Sequence, residues 1–179
     1  MDNLIAETEK HVIHLLNEKL NSNFVYHNLA HTQLVVEKVK ELSDLSNLSD
    51  SEKEQLIIAA WFHDTGFTES IDKHEQKSAV IAEAFLKKQN ASEVTINTVK
   101  ELILATVMDF DPNTISEKII RDADCSHIGS KDFNDVSELL RKEWELACNK
   151  TMTEAEWLQE NINFLTKNHR FYSDVALAN

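Results

Sequence analysis

The chain of 179 residues is poor in residues that break helices or staple folds: two Gly, one Pro and two Cys. So few chain breakers leave long helices joined by short polar turns as the default. Cys125 and Cys148 are too few for a disulfide framework, and a reduced, cytosolic setting is expected. No apolar run reaches the roughly 18 residues of a membrane span. The opening "MDNLIAETEKHVIHLL" carries acids early and lacks the shape of a signal peptide. Basic residues are also scarce, 18 against 31 acids, for a net charge of −13. That charge repels polyanions, so long DNA or RNA is not an expected partner. A small phosphorylated substrate remains compatible, because a bound divalent cation reverses the field locally.

What is there is helix-period patterning throughout. Helices are expected over 3–20, 29–45, from Ser49 or Asp50 to about 64, 74–89 and 92–108. A short one follows within "SEKIIRDADCSHI", then two longer ones over about 131–149 and 153–169. Leu34 and Val35 are read as core positions of the second helix, Val80 and Val94 as apolar positions of later ones. Ser49 or Asp50 supplies an N-cap oxygen, and Pro112 breaks the chain in "DFDPNT". No strand-period segment competes. The expectation is an all-α fold, one helical bundle over residues 1–179.

Polar residues on apolar helix ends stand out against this pattern. In "AAWFHDTGF", His63 and Asp64 follow Ile58–Phe62, and burying both is costly unless they are paired or bind a metal. Adjacent helical residues point about 100° apart, so they converge on one ion only near the helix end. A C-terminal His on the helix dipole beside a capping Asp reads the same. In "IIRDADCSHIG", Asp124 points inward if Ile120 does; an acidic surface turn is the other reading. In "YHNLAHT", His31 opens the second helix on its inner edge, while His27 belongs to the turn before it. Together His31, His63, Asp64 and Asp124 offer two imidazoles and two carboxylates from three helices. This set suits Mn, Fe, Mg, Co, Ni or Zn, and helical bundles build metal sites from facing side chains in this way.

His31 … His63-Asp64 … Asp124 resembles the signature of the HD superfamily of metal-dependent phosphohydrolases, an all-α family. "YHNLAHT", "AAWFHDTGF", "KSAVIAEAFL", "LILAT", "RDADCSHIG", "RKEW" and the closing "ALAN" are similar in order to a small bacterial subgroup described as predicted metal-dependent HD phosphohydrolases. The resemblance implies that His31, His63, Asp64 and Asp124 hold one divalent ion. It also implies hydrolysis of a phosphomonoester or phosphodiester in a small substrate such as a nucleotide, with Asp64 orienting the attacking water. Some relatives carry two further histidines between the HD pair and the last Asp. Here His74 is the only histidine in that interval, and "VMDF" follows "LILAT", leaving Asp109 or Asp111 as carboxylate substitutes. One ion is therefore expected rather than two, which also argues against a di-iron oxygenase. A non-catalytic module that binds metal or nucleotide is the remaining alternative.

Around this centre His74 is a candidate general acid with Glu75 beside it. Lys77 and His27 are candidate substrate contacts. Arg141 is expected to pair with Glu138 or Glu145, and Arg121 with Asp122. His11, His14, His127 and His169 have no convergent partners in the sequence and are assigned to structure or surface. Trp61, Trp144 and Trp157 are read as packing residues, and Cys125 as a small buried apolar one.

Overall fold

Six of the helices begin where a side-chain oxygen caps the first turn. In the computed structural model, which describes residues 2–178, Asn28 opens α2 (Leu29–Asp44) by accepting from the amides of Ala30 and His31. Ser49 and Glu52 form a reciprocal capping box at α3 (Asp50–Phe62), as do Thr114 and Glu117 at α6 (Ile115–Asp124). Thr153 and Glu156 do the same at α8 (Glu154–Asn163). These boxes satisfy first-turn amides that the helix leaves free. The remaining helices are α1 (Asp2–Lys19), α4 (His74–Lys88), α5 (Glu93–Leu104), α7 (Phe133–Cys148) and α9 (Asp174–Leu177). A 3-10 turn, Thr65–Thr68, links α3 to α4, and a π turn, Phe164–Asn168, extends α8. No strand occurs among the described residues, and none of their helices is long and apolar enough to cross a membrane. Asn179, the last residue of "ALAN", lies outside the described residues, as does Met1.

Helices α1 to α6 share one core. Helix α3 is its axis, lying against α1, α2, α4, α5 and α6. Leu56, Ile58, Ala59, Ala60 and Phe62 of α3 are completely buried. Each large side chain among them contributes about 1.5–3 kcal/mol by leaving water. Because the second half of α3 is apolar on every side, it carries whatever follows Phe62 into the middle of the bundle.

Several expectations shift. The buried face of α2 is His31, Thr32, Val35, Val36, Val39, Leu42 and Ser43. Leu34 lies a further 100° round and is 61% exposed; Val80 and Val94 face solvent likewise. Helix α5 stops at Leu104 instead of reaching 108. The guanidinium of Arg121, buried on α6, donates instead to the carbonyls of Ala105, Thr106, Val107 and Met108. Arg121 is therefore committed to four carbonyls at the end of α5, not to Asp122. Asp122 accepts from the amides of Tyr172 and Ser173 at 2.8 Å and from the Ser173 hydroxyl at 2.6 Å, tying the C-terminal segment to α6. Gly66 is the closest approach in the site region. A Cβ there would meet the His74 carbonyl oxygen at 2.0 Å, and its amide donates to Ser78 Oγ at 2.8 Å. This contact holds the start of α4, with His74, against the end of α3.

Candidate metal centre

Three elements deliver four side chains to one buried point. His31 comes from the first turn of α2, and His63 and Asp64 from the end of α3. Asp124 is the last residue of α6. His31 Nε2 lies 3.4 Å from His63 Nε2, 3.2 Å from Asp124 Oδ1 and 3.4 Å from Asp64 Oδ2. His63 Nε2 lies 3.1 Å from Asp64 Oδ2 and 3.5 Å from Asp124 Oδ1. An ion about 2.1 Å from each donor would set donor–donor edges of about 3.0 Å in octahedral and 3.4 Å in tetrahedral geometry. The observed separations of 3.1–3.5 Å lie close to those edges, and His31, His63 and Asp124 together could hold a metal ion.

The hydrogen bonding also fits a cation. His63 Nδ1 donates to the Ala60 carbonyl at 2.7 Å, which aims the other ring nitrogen at the cluster. Histidine ligands are held this way by a carbonyl behind the ring. Asp64 Oδ2 is buried and has no hydrogen-bond partner. Two imidazole nitrogens facing two carboxylates favour a positive charge among them, either a proton or a metal ion. Burial opposes charge on His63, yet Asp64 and then Asp124 hold its imidazole well above the ordinary value. Burial likewise works to raise the Asp64 carboxyl, but His63, His27 and His31 hold it far below the carboxylate range. Asp124 is lowered in the same way by His31 and His63.

The surrounding residues divide. His74 stacks on Phe67 with ring centroids 3.9 Å apart. Its Nε2 lies 3.7 Å from Asp64 Oδ1 and its Nδ1 3.6 Å from Glu75 Oε2, so both residues sit beside the cluster. Lys77 makes no side-chain hydrogen bond or ion pair among the described residues. Asp109 is exposed, and Asp111 pairs with Arg170 at 3.1 Å; neither joins the cluster. Arg141 donates to the Met152 carbonyl at 2.7 Å and lies 3.5 Å from Glu138. Trp144 and Trp157 stack edge to face on each other, with centroids 5.3 Å apart.

The His27 ring, its centroid 5.7 Å from that of His31, is anchored to α7. Its Nδ1 makes a very short contact with Glu143 Oε1, while the amides of Tyr26 and His27 donate to Glu143 Oε2 at 2.8 and 2.9 Å. Burial opposes charge on His27, but the Glu143 hydrogen bond raises its pKa. Glu143, only 3% exposed, is the residue that sequence reasoning missed. Its signal was a charge placed on the apolar stripe Leu139, Leu140, Trp144, Ala147. His127, read as structural or surface, also belongs here. Its Nδ1 is 3.3 Å from the Tyr26 hydroxyl, and both rings line a cavity that reaches His31 and Asp124. Burial lowers the His127 pKa to about 4, which favours the neutral ring beside the Tyr26 hydroxyl. Comparisons of this chain with protein-family models, with curated proteins and with solved structures find no match.

Proposed function

We propose that the chain is a metal-dependent phosphohydrolase of the HD type, cleaving a phosphoester bond in a small phosphorylated substrate. The observation that carries this reading is that His31 Nε2 and His63 Nε2 lie 3.4 Å apart, each within 3.1–3.5 Å of an oxygen of Asp64 and of Asp124. Those four side chains would hold one divalent ion. The ion would lower the pKa of an attacking water and offset charge on a phosphoryl oxygen. Asp64 spans two roles: Oδ2 faces the imidazoles, and Oδ1 faces His74 and orients the water. His74 Nε2, facing Asp64, would pass a proton to the leaving alkoxide, while its Nδ1 lies 3.3 Å from the Ile71 carbonyl and 3.6 Å from Glu75. His27, fixed by Glu143, presents its free ring edge to the substrate.

The test combines elemental analysis of the purified protein with a hydrolysis screen. The screen covers phosphomonoesters and phosphodiesters, nucleotides included, under Mn, Fe, Mg, Co, Ni and Zn. The expected result is one equivalent of metal and metal-dependent phosphate release, with His63→Ala and Asp64→Ala losing both. Full hydrolysis by His63→Ala with metal still bound would overturn the reading.

A further inference from the structure

From the cavity beside His31 and Asp124, and resting on the phosphohydrolase reading, we infer a substrate class. The substrate is a monophosphate ester whose alcohol is uncharged, has an apolar face and bears no second phosphate. The cavity lies between α2, the α6–α7 connection and the first half of α7, and holds about 380 Å³. That is the lower end of the range for small-molecule clefts. His31 and Asp124 stand at its inner end, so a phosphate at the metal centre would extend its alcohol into this space.

The walls define what fits there. Leu34 and Val35 of α2 face Val136 and Leu139 of α7, giving two apolar sides. This explains why Leu34 is apolar although it lies outside the core. The charges are Glu37, Glu41 and Asp132 against Lys38, and Lys38 is already paired with Glu41 at 2.7 Å. The nearest buried cation, Arg121, is spent on backbone carbonyls. A divalent ion would offset the charges of Asp64 and Asp124 and would be the one cation there to take a phosphate oxygen. A second phosphate in the cavity would meet carboxylates and no free cation.

Two measurements test this. The first is calorimetry on the Mn-loaded protein with two non-hydrolysable probes, phenylphosphonate and methylphosphonate. Phenylphosphonate is expected to bind at least tenfold tighter, since burying about 60 Å² of apolar area is worth roughly tenfold in affinity. Leu34→Lys, at an exposed position that tolerates the change, should remove that preference. The second compares hydrolysis of adenosine 5′-monophosphate with adenosine 3′,5′-bisphosphate. The monophosphate should be preferred at least tenfold, and Glu37→Lys with Asp132→Lys should narrow the gap. Equal affinity for the two phosphonates, or equal rates on the two nucleotides, overturns this inference and leaves the phosphohydrolase reading standing. Metal-loaded protein that binds neither phosphonate and cleaves neither nucleotide overturns both.

Discussion

Helices α1–α6 bury their apolar side chains in one shared core, whereas α7 and α8 leave most of theirs in water. Leu139, Leu146, Leu158 and Ile162 are all exposed, and only Ser137, Glu143 and Trp157 of these two helices are buried. The four clustered side chains, His31, His63, Asp64 and Asp124, all come from the first region. The second region supplies Glu143 and one wall of the cavity. A well-packed core thus places the clustered donors, while a thinly packed pair of helices shapes one wall of the cavity beside them. Rates of change and tolerance to substitution should differ accordingly between the two regions.

The largest effect belongs to the core. Leu56→Ala removes a completely buried side chain at the bundle axis and should cost about 2–5 kcal/mol by urea unfolding. Next comes Glu143, which ties α7 to the Tyr26–His27 turn. Glu143→Ala leaves the Tyr26 and His27 amides without their acceptor and should cost about 2 kcal/mol. Glu143→Gln keeps an oxygen for the amides but turns an N–H donor toward the His27 ring, and should cost about half as much. Hydrogen exchange at those two amides reads the effect directly. If they stay protected in Glu143→Ala, the tie between α7 and the Tyr26–His27 turn is not what holds that turn.

A smaller effect separates the centre from its surroundings through pH. His63 has its folded pKa raised above 6.5, so the stability it contributes is complete below pH 6.5. That contribution is lost as pH climbs through the folded value. Asp64 is shifted the other way, and its contribution fades as pH falls below about 3.8. With a chelator present, the melting temperature should therefore decline on the alkaline side. With saturating divalent metal the imidazole is held in its neutral form and that decline should vanish. Metal affinity should rise with pH over the same interval, because binding displaces the His63 proton. An identical alkaline decline with and without metal would count against His63 as a ligand.

The sequence read the core better than the second region, and the reason is physical. All-helical architecture follows from period and from the shortage of Gly and Pro, both local properties. His63 and Asp64 stood out because they end an apolar helix, so their burial was implied by their neighbours. Glu143 did not stand out, since its partners lie 116 and 117 residues away and no local rule pairs them. Leu34 was misplaced because composition does not say which 100° sector meets a neighbour and which meets a cavity. Arg121 was paired with Asp122 by adjacency, yet adjacent helical residues point apart and each found a backbone partner elsewhere.

The smallest predicted effect sharpens the comparison most. Leu158→Ala makes the same chemical change as Leu56→Ala, but on α8, where the side chain is 54% exposed. About half its apolar area already meets water, and few neighbours would be left facing a void, so neither the transfer nor the cavity penalty is large. The cost should stay within about 0.5 kcal/mol by urea unfolding, the range of ordinary surface substitutions. The melting temperature of wild type and variant should also be independent of protein concentration. A cost above 1 kcal/mol that grows with concentration would show that α8 is covered by another copy of the chain. The contrast between the two regions would then belong to the isolated chain alone, with the exposed leucines of α8 serving as an interface.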